Sequence, residues 1–249
     1  MRMMAKLLFF FFLLQNSDIS WSQVMSEPEF REEIKKFQTF FAGEVKQSAK
    51  GKLEIYGTWD SETINAYSMR DEDIFIITIS GGFARAPYMT RDSFALVLCH
   101  ELGHHLGGFP KKYKGHWSSA EGQADYFATS KCLKKYWSTE MNVKRKIEEA
   151  SVAFIHALAH KKNLPVFPQI FTPDLTKVSK TWLEHPDYQC RLDTLIQGNE
   201  CKVSRDIPFS DTDEKTGACH SQLDEVGFRP FCWFKESAST SLSGIPSSI

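Results

Sequence analysis

SFALVLCHELGHHLGG, residues 93–108, decides how the rest of the chain is read. Wound at about 100° per residue, the part from Ser93 to Leu106 is apolar on nearly every side, which predicts a helix buried at the centre of the molecule. Thr90 and Asp92 precede it as start signals, and Gly107, Gly108 and Pro110 stop it. Inside this apolar cylinder sit His100, Glu101, His104 and His105. His100 and His104 lie about 40° apart around the axis, one turn above the other, so two imidazoles reach one ion. Glu101 points about 100° away from His100, which suits a carboxylate that meets an activated water without ligating the metal. That is the H-E-x-x-H arrangement of a metallohydrolase, with the glutamate as general base. His105 lies about 140° from His100 and is left out of the ligand set. Each unpaired polar group in such a helix costs about 1–3 kcal/mol, and a metal satisfies both histidines at once.

The third ligand must come from elsewhere. Gly107 falls where the metzincin pattern has its glycine, but Pro110 stands in place of that pattern's last histidine. His116, in KGHW (114–117), is one substitute. AEGQAD (120–125) offers a stronger one, because Glu121 and Asp125 share a face of the next helix. A carboxylate ligand followed one turn later by an aspartate bonded to a ligand histidine supplies both the ligand and its support. Ser118 and Glu121 also read as an S-x-x-E capping box, which would turn the glutamate back on its own helix and leave the third position to Asp125 or His116.

The 249 residues are 42% hydrophobic and 24% charged, enough for one sizeable core, assigned to 23–236. A net charge of -1 gives no field to attract nucleic acid or an anionic membrane surface. MRMMAKLLFFFFLL (1–14) places Arg2 and Lys6 ahead of a short apolar run, well below the roughly 20 residues of a membrane span. The expectation is a signal peptide, 1–22, and a periplasmic or secreted chain with no transmembrane domain once it is removed. The serine-rich end, 237–249, is too polar and small to pack. Six cysteines in an exported chain suit disulfides, and Cys190–Cys201 and Cys219–Cys232 would close short loops. No C-x-x-C pair supports a cysteine-bound zinc.

Around the central helix, 26–49 carries Phe30, Ile34, Phe37, Phe41 and Val45 at helical spacing behind a Ser26/Glu29 capping box. KLEIYGTW (52–59) and DIFIITIS (73–80) read as strands. Helices follow from Ser118 to about Trp137 and over 140–162, and beyond Leu164 the proline-richer chain yields no assignment. The expected class is α+β, mainly helical, with a small β-sheet packed against the central helix.

Four blocks in order resemble the HtpX-like zinc metallopeptidases, gluzincin family 48. TINAYS (63–68) is similar to that family's N-A-[FY] segment, and IITISGGF (76–83) to its strand ending in a glycine turn. LVLCHELGHH (96–105) resembles its zinc helix, and AEGQAD its E-x-x-A-D motif. A weaker fifth block, EHPDYQCRLDTL (184–195), looks like its late H-P…R segment. The resemblance implies a zincin-like fold, Zn2+ held by His100, His104 and Glu121, Glu101 as catalytic base, and Asp125 behind the ligands. It offers His185, Tyr188 and Arg191 as oxyanion or substrate donors, with Tyr126 and His116 candidates by proximity alone. Two departures stand out: only 16 residues separate His104 from Glu121, where the family has a longer stretch, and the membrane helices of its integral members are missing. The implied activity is endoproteolysis of a polypeptide, in quality control or processing in the cell envelope, and the simplest docking for that substrate is as an added strand along the edge of 74–80. The alternative is a non-catalytic, zinc-stapled binding or chaperone-like protein, which would have no need of Glu101.

Overall fold

The computed structural model of the chain describes residues 25–202, 209, 219 and 227–235. The expected signal peptide, 1–22, and tail, 237–249, lie outside the described residues.

Helix α1 (Glu27–Ala49) starts as its capping box predicts. The Glu29 carboxylate accepts from the Ser26 N–H at 2.8 Å and from its hydroxyl at 2.7 Å. Its five expected apolar positions, Phe30 to Val45, are all buried. They cover a three-stranded sheet of β1 (Lys52–Thr58), β2 (Ala66–Asp71) and β3 (Ile74–Ser80), ordered β1-β3-β2. β1 runs parallel to β3 and β2 antiparallel to it. Leu53, Ile55, Phe75, Ile77 and Ile79 point into the core at the two-residue period of a half-buried sheet.

β2 was not expected, and it corrects the proposed docking edge. With a partner on each side, β3 has no free edge, so a peptide cannot add to 74–80. Among the described residues, the free edge beside the histidine helix belongs to β2.

After the short turn α2 (Gly81–Ala84), α3 (Arg91–Leu106) runs through the middle of the molecule with every residue from Ser93 to Leu106 buried. The Thr90 hydroxyl accepts from the Ser93 N–H, and Gly108 takes a positive φ of 75° just past the end. The next helix begins at Glu121, three residues later than expected. α4 (Glu121–Phe127) widens into a π-helical turn (Ala128–Cys132) and continues as α5 (Leu133–Tyr136). α6 (Val143–Lys161) packs on α3, and α7 (Tyr188–Glu200), in the unassigned region, packs on α4 and α6. The fold is mixed α+β, with α3 between the sheet and the later helices.

All six cysteines are paired, as Cys99–Cys132, Cys190–Cys232 and Cys201–Cys219. The expected Cys190–Cys201 and Cys219–Cys232 pairs are wrong. Cys190 and Cys201 lie at opposite ends of α7, about 16 Å apart at 1.5 Å per residue, far beyond disulfide reach. No described helix is long and apolar enough to cross a membrane, and with the three disulfides this is compatible with an exported protein.

Gly103 lets α3 and α4 approach. A Cβ there would stand 2.9 Å from the Ala124 carbonyl oxygen and 3.0 Å from its Cα, both backbone atoms that cannot swing aside. Gly103→Ala should therefore destabilise by about 1–3 kcal/mol despite alanine's better helix propensity, read as a lower urea midpoint.

Candidate metal centre

α3 and α4 bring three donor atoms to one point. Glu121 Oε2 lies 3.4 Å from His100 Nε2 and 3.5 Å from His104 Nε2. A tetrahedral ion with bonds of about 2.0–2.1 Å requires donors about 3.3–3.4 Å apart, so the spacing suits one. His100, Glu101 and His104 also form a buried group whose ligand atoms lie within 4.8 Å of one another and can hold a metal ion. The other such group among the described residues, Asp174 with Cys190 and Cys232, has its sulfurs committed to a disulfide.

The protonation of the rings fits the same reading. His100 Nδ1 meets Asp125 Oδ1 at 2.7 Å, and His104 Nδ1 meets the Ser119 carbonyl at 2.9 Å, so each ring donates there and turns Nε2 inward. Glu121 Oε2 is buried and makes no hydrogen bond, though three ring nitrogens surround it, that of His185 at 3.1 Å included. Lone pairs aimed at an orphaned carboxylate oxygen are stable around a cation and costly otherwise. The other oxygen, Oε1, faces Lys112 Nζ at 3.4 Å.

Glu121 is the first residue of α4, whose N-cap is Ala120 without a side-chain cap. The capping-box alternative thus fails, because the Ser118 hydroxyl lies 3.2 Å from His104 Nδ1 and 3.1 Å from the Ser119 carbonyl. Behind the ligands, Asp125 accepts two bonds from Arg191, at 2.8 and 2.9 Å. Burial works against its charge, but Arg191 and His100 outweigh this and hold the carboxyl well below its usual range. Burial likewise opposes charge on His100, yet the Asp125 carboxylate and the nearby Glu121 carboxylate raise that ring to about 10.

The remaining candidates separate. His185 reaches the site and stays largely exposed. Arg191 is buried and spent on Asp125, so it does not face a substrate. The Tyr126 hydroxyl is bonded to the Gly227 carbonyl, and His116 Nδ1 accepts the Ser118 N–H at 3.2 Å beside Tyr113 and Trp117. Tyr188 opens α7. His105, excluded from the ligands, stacks between Phe75 and Trp117 and donates Nε2–H to the Ile76 carbonyl at 3.1 Å. Burial lowers its ring to about 3 and keeps it neutral.

The sequence reading passed over Ser68, whose hydroxyl touches Glu101, and Ser119, whose carbonyl holds His104. Alternation in AYSMRD sets Ser68 opposite the apolar Tyr67 and Met69 and so hides it, and a backbone carbonyl leaves no residue-type signal.

No family model, curated protein or solved structure matches the chain.

His104→Ala and Glu121→Ala should each abolish stoichiometric metal binding in elemental analysis, whereas His105→Ala should keep the metal and lower the melting temperature. pH provides a second test. With His100 raised above the ordinary 6.5, its stabilising charge in the metal-free protein is complete below about pH 6.5 and lost as pH rises through about 10. Metal entry at pH 8 must therefore expel about one proton, and affinity should rise with pH toward 10. Calorimetry in two buffers of different ionisation enthalpy reads that proton directly.

Proposed function

We propose that this chain is a zinc-dependent metalloendopeptidase. The observation that carries the reading is the convergence of His100, His104 and Glu121 on one point, with Glu101 beside it as a carboxylate that the ligand set does not use. The ordered motif resemblance to the HtpX-like gluzincins, and through it a zincin-like fold, supports the same activity.

Two imidazoles and one carboxylate are the donor set of catalytic zinc, which leaves a coordination position open. When bound, zinc would supply a Lewis acid that acidifies water and polarises the scissile carbonyl. Glu101 would take the proton of the attacking water and return it to the leaving amine. His185, exposed on the approach to Glu121, is the side chain best placed to donate to the developing oxyanion. Asp125 and Arg191 would hold the His100 ring in its donor tautomer without touching substrate. Substrate would add as a strand to the free edge of β2, which recognises peptide backbone with little sequence preference. An exported trimming or quality-control role is consistent with three disulfides and with the expected signal peptide.

One observation favours the alternative of a zinc-stapled binding protein. His185 Nε2 stands 3.1 Å from the same Glu121 oxygen, close enough to serve as a fourth ligand and close the coordination. His185→Ala separates the two. For the enzyme it should retain one zinc per chain and lose about 10²–10³ in kcat, the usual cost of an oxyanion donor. For the staple it should release the metal. In parallel, Glu101→Gln should bind zinc as the wild type does and leave an unfolded protein substrate uncut. Equal cleavage by Glu101→Gln and wild type would refute the proposed role of Glu101.

A further inference from the structure

β2 touches the proposed base directly. The Ser68 hydroxyl lies 2.7 Å from Glu101 Oε2 and 2.8 Å from the Glu101 backbone carbonyl. One hydroxyl has one proton to give, and a carboxylate is the stronger acceptor, so the proton belongs to Oε2. Ser68 sits in the middle of β2, where Ala66, Ser68 and Arg70 turn toward the interior and Tyr67 and Met69 toward solvent. Ser68 is paired to Ile77 of β3, so its position is set by the sheet and not by a loose loop. Glu101 is fixed at its other end by α3, buried throughout this stretch.

We infer that Ser68 is a positioning residue: its hydroxyl holds Glu101 Oε2 against β2 and leaves the second carboxylate oxygen to receive the proton of the attacking water. This rests on the peptidase reading for its use in turnover, but the contact itself is independent of it. The arrangement also ties the base to the strand whose free edge is the proposed docking site. Peptide and base are then registered against the same six residues of backbone. Without the hydroxyl, Glu101 would keep its charge and its helix but lose the restraint on its terminal torsion, which is otherwise broad. Loss of orientation lowers the rate of the chemical step more than it lowers binding.

The test compares Ser68→Ala, Ser68→Thr and wild type as zinc-loaded full chains. Two readouts are taken: cleavage of an unfolded protein substrate, and calorimetric affinity for a simple hydroxamic acid, a zinc-directed probe whose proton Glu101 would accept. Ser68→Ala should keep one zinc per chain, lose about tenfold or more in kcat with KM within about twofold, and bind the hydroxamate correspondingly less tightly. Ser68→Thr, which keeps the hydroxyl, should recover most of both. The inference is overturned if Ser68→Ala matches wild type in kcat and hydroxamate affinity, if the loss lies wholly in KM, or if Ser68→Thr is as impaired as Ser68→Ala. Should Ser68→Ala not fold, Ser68→Cys keeps the size with a poor donor and enters the same comparison. If the wild type cleaves nothing, the peptidase reading fails, while the hydroxamate affinities still decide whether Ser68 orients Glu101.

Discussion

Asp125 is a carboxylate with no exposure to solvent, placed between an imidazole and a guanidinium, and the candidate site depends on it. A buried charge without partners is costly, and this one is stable because Arg191 and His100 approach from opposite elements, α7 and α3. The consequence reaches the metal position. By accepting from Nδ1, Asp125 decides which nitrogen of His100 faces Glu121, and it does so from the same helix that carries Glu121. Ligand and support are therefore displaced together by any movement of α4, so the geometry is set by how α4 is seated.

Covalent and steric constraints do that seating. Cys99, next to His100 in α3, is joined to Cys132 at the end of the π-helical turn that follows α4, and both are fully buried. Gly103 permits the close contact in between. Cys190 stands beside Arg191 and is joined to Cys232, next to Trp233, whose ring lies against Gly122 so closely that a Cβ there would come within 2.4 Å. Two of the three disulfides thus adjoin residues of the Asp125 network. Their burial excludes the solvent thiols that open exposed disulfides, which fits a staple better than a redox switch.

What could be read from the sequence follows the range of the interactions involved. α1 and α3 were legible because capping and apolar spacing are local, and H-E-x-x-H because two ligands one turn apart need only helical geometry. Whether Glu121 caps its own helix or faces the histidines was not decidable locally, since the Ser118 hydroxyl is taken up by His104 and the carbonyl of Ser119. β2 was missed because AYSMRD is polar and only half buried, with no apolar run to mark it. α7 was hidden by its surroundings of proline and by a stripe that includes Arg191, Asp193 and Asn199 as buried positions. The disulfides were misassigned because sequence proximity is no guide once a helix separates two cysteines.

The short connection between His104 and Glu121 has a definite task in the fold. Here the 16 residues after His104 fold back, bridged at Lys111 and Ser119, so that the Ser119 carbonyl meets the His104 ring two residues before Glu121 begins α4. Lys112 in the same link faces Glu121 Oε1, opposite the oxygen that points at the histidines. On the peptidase reading, a charge partner on one carboxylate oxygen would favour a single-oxygen ligand over a bidentate one and would leave more room for water and substrate. The link between His104 and Glu121 thereby fixes the tautomer of His104 and, were a metal bound, would bias Glu121 toward one oxygen.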